Sequence, residues 1–287
     1  MGLMDGKSTE RLGNALGWIV FHGLRIRRQV TLKNLRVAFP EKSESERLSI
    51  GLKTYQHSAK MMLEFIQMPR IKKEQFLERF EVNGPGVFDQ VEKEGKGAFL
   101  LTGHYGNWEY YGAYLAQIGL KISFLVKPQH NPETDKILNN IRMKMGADII
   151  PLGMAVRNVI RAIREHHYVA IVGDQDAGRD GVFVPFFGRP ASTAVGVASL
   201  AVRTGAAILF GYSVRQPGGR YQLYAERLDL SSAPRDKDER IRYILELYMR
   251  KLEAAIRLHP DQWFWMHKRW KTSPPAPVHD MKDHTAA

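Results

Sequence analysis

Short apolar runs alternate along most of the chain with segments of helical periodicity. Each run is long enough for a buried strand, and apolar residues spaced three or four apart mark amphipathic helices between the runs. Strands that alternate with helices indicate an α/β fold, in which a mainly parallel central sheet carries helices on both faces. The runs are AFLLTG (98–103), ISFLVKP (122–128), DIIPL (148–152), YVAIVGD (168–174) and AAILFGY (206–212).

Capping residues mark where the helices begin. Ser43 and Glu46 form an S-x-x-E capping box, and Pro69 is expected to end the helix behind it. Asn131 followed by Pro132 is a second helix start, because proline favours the first helical turn. The later helices have apolar stripes that are predicted to lie in the core. These stripes are Ile137, Ile141 and Met145; Val156, Val159 and Ile163; and Ile241, Leu245, Tyr248, Leu252 and Ile256.

An N-terminal helical segment precedes the predicted sheet. Its apolar stretch Leu12–Leu24 has 13 residues, whereas about 20 are needed to span a membrane. Five basic residues and no acidic one follow between Arg25 and Arg36. We predict that residues 1–36 associate with an anionic membrane surface, the alternative being a helix packed on the core with a solvated basic face. Residues 37–272 are the predicted main domain, and the Pro-rich residues 273–287 a disordered tail.

Basic residues outnumber acidic ones, 42 to 30, and the formal net charge is +12. This charge favours a polyanionic partner, such as nucleic acid, anionic lipid or an acidic carrier protein. No helix-turn-helix, zinc-finger or RNP-like pattern is visible, so a basic nucleic-acid-binding protein is a remote alternative. The absence of cysteine excludes disulfides, thiolate metal sites and a cysteine nucleophile. His166 and His167 lack carboxylates at ligand spacing, and no metal site is expected.

The candidate chemistry lies directly after the first predicted strand. His104 follows that strand at the start of a probable helix, and sites in open α/β sheets gather at the carboxyl ends of strands. Glu109 is five residues away, about 140° around a helix, so the two meet only if His104 lies in a turn that Gly103 and Gly106 permit. Glu109 would then orient the imidazole, and His104 would act as a general base. Otherwise His104 caps the helix and Glu109 lies on its solvated face.

The segment GHYGNWE (103–109) resembles the signature of the lipid A late acyltransferases, which add secondary lauroyl or myristoyl chains to lipopolysaccharide precursors. Four further segments resemble that family in the same order, so the resemblance covers nearly everything from Asn34 to Lys271. It implies the glycerolipid acyltransferase-like fold of the wider lysophospholipid acyltransferase superfamily. The four are NLRVAFPE (34–41), KPQHNPETD (127–135) followed by Arg142, DQDAGRDGVFVPFFGRPASTAVGVASLAVRTGAAI (174–208) and HPDQWFWMHKRWK (259–271).

The resemblance also implies roles for particular residues. His104 is the general base, Glu109 its partner, and Lys127, Arg142 and Asp174 occupy the substrate cleft. Lys127 stands where the family tends to have arginine, and lysine keeps the charge but loses the bidentate fork. Asp174 either orients a substrate hydroxyl, pairs with Arg142 or caps the following turn.

The implied reaction moves a fatty acyl chain from acyl carrier protein, or coenzyme A, to a hydroxyl of a lipid A precursor. The acyl donor is a co-substrate, and no cofactor or metal is expected. The implied location is the cytoplasmic face of the bacterial inner membrane, where the protein is peripheral or shallowly inserted. A lysophospholipid or another glycolipid is the alternative acceptor, and the intact pair of His104 and Glu109 argues against a catalytically silent scaffold.

Aromatic and basic residues are interleaved near the end of the main domain. Trp263, Trp265 and Trp270 with Lys268 and Lys271 are typical of an interfacial belt at lipid headgroups, the alternative being alternate burial in an edge strand. Within the same segment we expect Phe264 to be buried and Arg269 exposed. Phe186, Phe187 and Gly188 form either a loop over an acyl channel or part of the core.

Overall fold

The computed structural model describes residues 4–84 and 86–275, without the side chains of Met154 and Ala155. Most of the predicted tail, residues 276–287, therefore lies outside the described residues. The helices are α1 (Gly6–Trp18), α2 (Arg28–Ala38), α3 (Glu44–Gln67), α4 (Lys73–Leu77), α5 (Gly86–Lys93), α6 (Trp108–Gln117), α7 (Pro132–Lys144), α8 (Ala155–Arg164), α9 (Gly196–Thr204) and α10 (Lys237–Leu258). The strands are β1 (Phe80–Asn83), β2 (Ala98–Thr102), β3 (Ile122–Val126), β4 (Asp148–Pro151), β5 (Tyr168–Val172), β6 (Val182–Phe186), β7 (Arg189–Thr193), β8 (Ala207–Gln216) and β9 (Arg220–Arg227).

A seven-stranded sheet in the order β1-β9-β8-β2-β5-β3-β4 forms the centre of the molecule. All its pairs are parallel except β8 with β9, which form an antiparallel hairpin. Each of the five predicted runs is one of these strands, so the predicted α/β fold with a mainly parallel sheet is confirmed. The sequence analysis did not identify β1, β9 or the separate antiparallel hairpin of β6 and β7.

Helices cover both faces of the central strands. Every residue of β2 is buried, as expected for a strand covered on both sides. Phe99 and Leu101 pack on the face that carries α10, whereas Leu100 packs with Tyr111 of α6 on the other face. The alternation of side chains along a strand thus divides the core into two layers.

Two of the helices, α7 and α8, expose more of their apolar residues to solvent than their periodicity predicts. The capping box of Ser43 with Glu46 and the Asn131 cap are both formed. However, Ile137 of α7 and Val156 of α8 are 58% and 52% exposed, so their predicted place in the core is wrong. No residue of α7 is buried, because this helix lies on the rim of the sheet and packs through half-buried residues.

The N-terminal helix α1 packs antiparallel on α3 through small residues. A Cβ atom added at Gly13 would lie 2.3 Å from Lys60 Cγ, and one at Gly17 would lie 2.4 Å from Gln56 Cα. Only glycine permits so close an approach of the two backbones. A π-helical turn, Ile19–Leu24, extends α1 to Arg25. In the described ranges, none of the helices combines the length and the apolar character needed to cross a membrane.

Candidate active site

The carboxyl ends of β2 and β5 bring His104 and Asp174 together. The two strands are parallel neighbours in the sheet, and Thr102 is paired in register with Val172. His104 and Asp174 each follow two residues later, at the same edge of the sheet. This edge is where open α/β sheets commonly bind ligands.

Asp174 holds His104 by both its side chain and its backbone. The imidazole Nδ1 lies 2.6 Å from Asp174 Oδ1, and the backbone N–H of His104 donates to Oδ2 at 2.8 Å. The indole Nε1–H of Trp263 donates to the same Oδ2 at 2.7 Å. Asp174 is only 1% exposed, so these contacts replace the water that an ionised carboxylate would otherwise require.

The electrostatics of this pair favour an ionised Asp174. Burial alone would raise the pKa of Asp174, but the His104 imidazole and the hydrogen bonds from His104 and Trp263 together lower it. An ionised carboxylate only accepts hydrogen bonds, so the short contact requires a proton on Nδ1 of His104. In the neutral imidazole, the lone pair is then on Nε2, which is the form that a general base requires.

Glu109 is not the partner of His104, which corrects the predicted pairing. Its carboxylate accepts two hydrogen bonds from Arg142, from Nε at 2.9 Å and from Nη2 at 2.6 Å. The residue is 8% exposed, so the alternative of a solvated helix face is also wrong. The pairing of Arg142 with Asp174, one of the three interpretations of Asp174, is likewise absent, because Arg142 bonds Glu109 and Asp174 bonds His104. His104 does lie in the turn before α6, as the spacing required.

Arg142 links α7 to the first turn of α6. Burial disfavours its charge, but the hydrogen bonds and charge of Glu109 outweigh this effect and raise the pKa of Arg142. Its third nitrogen donates to Asn139 at 2.9 Å. Lys127, also predicted to line the cleft, is exposed in the loop after β3.

The turn between His104 and α6 has little freedom. Gly106 has φ of +61°, and a Cβ atom there would lie 1.6 Å from the carbonyl oxygen of Ser213 on β8. Asn107 then caps α6, with its side chain accepting from the N–H of Tyr110 at 3.0 Å. The buried His57 bonds the Gly106 carbonyl at 2.9 Å. Gly106 is therefore required by both its dihedral angle and the space available.

A buried charged cluster lies behind this turn. Arg215 of β8 bonds Glu64 of α3 at 2.9 Å and Glu10 of α1 at 2.5 Å. Glu64 also accepts hydrogen bonds from Tyr221 and, at 3.4 Å, from Asn107. The cluster connects α1 and α3 to Asn107, the N-cap of α6. The sequence analysis predicted none of these contacts.

The predicted interfacial belt is wrong for the residues around His104. Trp263 and Trp265 are 2% and 0% exposed, and so is Arg269 at 0%, which was expected to be exposed. Arg269 donates to the Ser192 carbonyl at 2.6 Å and to the Thr193 hydroxyl at 2.8 Å, which offsets only part of the cost of burying its charge, since burial still lowers the pKa of Arg269. Phe264 is half-buried rather than buried. This segment therefore packs inside the protein, where Trp263 bonds Asp174 and Phe264 lies beside His104.

Two aromatic rings lie next to the imidazole of His104. The ring centroids of His104 and Trp108 are 4.9 Å apart, and those of His104 and Phe264 are 6.2 Å apart. Phe186 and Phe187 belong to the buried core behind the site, in agreement with the second of their two interpretations. The Gln175 amide reaches Nε2 of His104 at 3.3 Å, a contact that no sequence pattern indicated.

Comparisons with known proteins agree with the resemblance found in the sequence. The lipid A biosynthesis lauroyltransferase of Escherichia coli (strain K12) is 27% identical over 272 residues, which cover 92% of this chain and 85% of that protein. The lipid A biosynthesis myristoyltransferase of the same organism is 22% identical over 260 residues, covering 89% and 78%. A phosphatidylinositol mannoside acyltransferase of Mycobacterium tuberculosis (strain CDC 1551 / Oshkosh) is 27% identical over 194 residues, covering 66% and 59%.

The decisive match is to a family model rather than to any one relative. The model described as bacterial lipid A biosynthesis acyltransferase matches residues 1–272. That range contains His104, Glu109, Arg142 and Asp174, together with all the helices and strands described above. The chain therefore belongs to the bacterial lipid A biosynthesis acyltransferase family.

Proposed function

We propose that this protein transfers a fatty acyl chain from a thioester donor to a hydroxyl group of a lipid A precursor. The observation that carries the proposal is the pair of His104 and Asp174 at the carboxyl edge of the sheet, in a chain of this family. Asp174 fixes the imidazole so that Nε2 has its lone pair toward the cleft. Family membership supplies the acyl chemistry, and this nitrogen supplies the base.

The proposed reaction is a direct transfer without an acyl-enzyme. Nε2 of His104 takes the proton of the acceptor hydroxyl while the hydroxyl oxygen bonds to the thioester carbonyl carbon. Asp174 stabilises the imidazolium that results. When the tetrahedral intermediate collapses, the carbon–sulfur bond breaks and the thiolate takes the proton from His104. The products are the acylated lipid and a free thiol, and the base is regenerated.

The acceptor follows from the relatives, and two classes are in competition. Lipid A biosynthesis enzymes match over most of this chain, which favours a lipid A precursor. The match to a phosphatidylinositol mannoside acyltransferase favours another glycolipid, but it covers only 66% of the chain. Mass spectrometry of the products formed with each acceptor distinguishes the two.

The donor is proposed to be an acyl carrier protein rather than coenzyme A, because a net charge of +12 attracts an acidic carrier protein. A higher kcat/KM with the carrier thioester, which falls as salt is added, is the expected result. No metal or other cofactor takes part in the proposed steps, so we expect activity in detergent to survive exhaustive chelation. Activity lost on chelation and restored by zinc or magnesium contradicts this part.

The test of the base compares two histidines with the same substitution. His104→Asn is expected to lower kcat by about a hundredfold to ten-thousandfold. His166→Asn is the matched control, because His166 is exposed and has φ of +66°, which asparagine tolerates. Circular dichroism and thermal unfolding verify the fold of both. Near-wild-type turnover of folded His104→Asn with saturating donor shows that the base is assigned wrongly.

We further propose that the protein attaches to an anionic membrane surface. The packing of α1 supports this, because small residues of α1 face the protein and large apolar residues face outward. Its glycines face α3, whereas Leu12 and Leu16 are 41% and 38% exposed. Glu10, about 200° around the helix from Leu12, reaches the core residue Arg215, so these leucines face away from the core. We call this surface the outer apolar face. It comprises Leu12, Leu16 and Ile19 of the N-terminal segment and Met62 and Ile66 of α3, all at least 38% exposed.

Basic residues next to the outer apolar face favour anionic lipid. Of the five cations between Arg25 and Arg36, Arg36 is bonded to Glu44, whereas Arg25, Arg27 and Lys33 are exposed, and each of these three is worth about 1 kcal/mol near an anionic surface. The protein would then lie on the cytoplasmic face of the bacterial inner membrane, where its proposed substrates meet. Shallow insertion, rather than spanning, is the mode that this surface supports.

Sedimentation with vesicles of anionic phospholipid tests this attachment. The double variant Leu16→Glu with Ile19→Glu should sediment less than wild type, since both residues are exposed and their charges oppose insertion. Ile118→Glu is the control, because Ile118 is 47% exposed at the far end of α6. High salt should also release the wild type. Equal sedimentation of wild type and double variant contradicts the proposal, as does resistance of wild type to salt and alkaline carbonate.

A further inference from the structure

We infer that the side-chain amide of Gln175 is a further catalytic residue, which donates a hydrogen bond to the oxyanion formed on the thioester carbonyl. The inference rests on the proposed acyl transfer and adds a hydrogen-bond donor for the oxyanion, which His104 as the base does not provide. Acyl transfer needs such a donor, because negative charge develops on the carbonyl oxygen as the hydroxyl attacks.

The contact between Gln175 and His104 assigns the amide as a donor. Gln175 Nε2 lies 3.3 Å from Nε2 of His104. Because Nδ1 of His104 donates to Asp174, Nε2 has a lone pair and no hydrogen. The group that faces it must therefore be the N–H of the amide and not its oxygen. Within the described part of the chain, Gln175 is the one side chain that hydrogen-bonds to this nitrogen.

This contact cannot persist once the acceptor binds. Nε2 has a single lone pair, and the acceptor hydroxyl must donate its proton to that lone pair. The amide then loses its partner in a half-buried, aromatic-lined site, where an unsatisfied donor is unfavourable. In the bound acyl thioester, the carbonyl oxygen lies one bond from the carbon that the hydroxyl attacks, and therefore within a few ångströms of Nε2. The released N–H group is placed to bond that oxygen as its charge grows.

Both neighbours of Gln175 are held by hydrogen bonds, which fix the backbone from which its side chain extends. Asp174 is held by His104 and Trp263, as described above. The backbone N–H of Asp176 donates to the imidazole of His267 at 3.0 Å, and the Asp176 carboxylate accepts from the Thr272 hydroxyl at 2.8 Å. A donor held in this way needs little reorganisation during the reaction, which is what makes oxyanion stabilisation effective.

The first experiment measures kcat and KM for Gln175→Ala in the full-length protein. Loss of one oxyanion donor lowers kcat by about a hundredfold to a thousandfold, and we expect KM for donor and acceptor to change by less than about threefold. Gln90→Ala, at an exposed position of α5, is the matched control and should keep wild-type kinetics. Gln175→Asn retains an amide on a shorter side chain and should recover part of the loss. A folded Gln175→Ala enzyme with wild-type kcat overturns the inference.

The second experiment separates an oxyanion donor from a residue that only orients His104. Dodecanoyl coenzyme A is compared with its dithioester analogue, in which sulfur replaces the carbonyl oxygen and accepts hydrogen bonds poorly. The wild-type enzyme should have a higher kcat with the thioester than with the dithioester. In Gln175→Ala the ratio of these two kcat values should fall toward one. An equal loss of both activities leaves the ratio unchanged and assigns Gln175 to orientation alone, which overturns the inference.

A third variant tests the requirement for a donor at nearly constant size. Gln175→Glu replaces the amide with a carboxylate of the same length, which when ionised can only accept hydrogen bonds. Its kcat should fall at least as far as that of Gln175→Ala, because the donor is lost. A folded Gln175→Glu enzyme that keeps wild-type kcat overturns the inference. If wild type forms no acylated lipid from any donor, the proposed function fails instead, which is a distinguishable result.

Discussion

Two acid–base pairs lie at the same edge of the sheet and differ in what they leave open. His104 pairs with Asp174, 70 residues later, and its Nε2 is bonded by the Gln175 amide at 3.3 Å, a contact that the acceptor hydroxyl can replace. Glu109 pairs with Arg142, 33 residues later, and both carboxylate oxygens are occupied. A base requires a lone pair that the substrate hydroxyl can reach, whereas an ion pair that joins two helices requires saturated partners. The two residues of the H-x4-E motif therefore belong to different pairs.

The comparison shows why closeness in sequence is a poor guide to pairing. His104 lies in a tight turn and Glu109 in the first turn of α6, and each is oriented by a different neighbouring strand or helix. Asp174 follows the adjacent parallel strand β5. Arg142 belongs to α7, the helix that follows β3. The motif thus contains one residue of the proposed catalytic pair, followed by one residue of an ion pair between helices.

Removing the charge of Asp174 should have the largest effect. Asp174→Asn no longer favours a proton on Nδ1, so the tautomer with a free Nε2 lone pair is lost. We expect kcat to fall by about a thousandfold or more, with the fold retained. Steady-state kinetics with a carrier or coenzyme A thioester measure this loss, and Asp89→Asn on the exposed face of α5 serves as the control.

The opposite ranking of the two acids would reverse the comparison. If Glu109→Gln costs more in kcat than Asp174→Asn, then Glu109 acts on His104 in the working enzyme. The geometry described above would in that case represent a different state of the site.

Breaking the pair of Glu109 and Arg142 should affect stability more than chemistry. The side chains are 9% and 15% exposed, so removing one partner leaves a largely buried charge, at a cost of about 3 kcal/mol in unfolding free energy. Glu109→Gln should also lower kcat, though less than Asp174→Asn does. Urea unfolding of Glu109→Gln, Arg142→Met and the double variant measures the coupling. Additive losses would show that the pair does not hold α6 to α7.

The smallest expected effect is a pH dependence of stability from His267. Burial is the largest cause that lowers its pKa, to about 4, whereas an unfolded histidine titrates near 6.5. Between these values the unfolded chain binds more protons than the folded one, so stability falls as pH decreases from about 6.5 to about 4. His57, whose pKa burial also lowers, adds to the same slope.

Urea midpoints measured from pH 7 to pH 4.5 record this slope. His267→Gln, which cannot titrate, should flatten it relative to wild type. His259→Gln outside the site is the matched control and should retain the wild-type slope. A slope that His267→Gln leaves unchanged would show that other groups account for the acid sensitivity.

Local patterns in the sequence were sufficient for most of the sheet and for the positions of the catalytic candidates. The apolar runs identified five strands, and the capping box at Ser43 and the cap at Asn131 located two helix starts. These signals are local, since a cap or a buried strand depends on residues a few positions apart. The strand β9 was not predicted, because its buried residues Tyr221 and Leu223 alternate with partly exposed ones and charged residues lie at both ends of the strand.

Contacts between distant segments were beyond reach for a different reason. The periodicity of α8 predicts Val156 and Val159 equally well as core, yet only Val159 is buried, because burial depends on what lies opposite each residue. Arg269 lies in a basic, aromatic segment typical of a surface, but the carbonyl of Ser192 and the hydroxyl of Thr193 accept its hydrogen bonds in the interior.

The sequence by itself determined that His104 follows a buried strand, in the turn before a helix that carries Glu109, and that the chain resembles lipid A late acyltransferases. Only the tertiary structure decided that Asp174 orients His104. The two residues are neighbours because β2 and β5 are adjacent and in register, from Thr102 and Val172 onward. Strand order is set by the packing of the whole sheet, and no pattern within a single strand encodes which strand lies next to it.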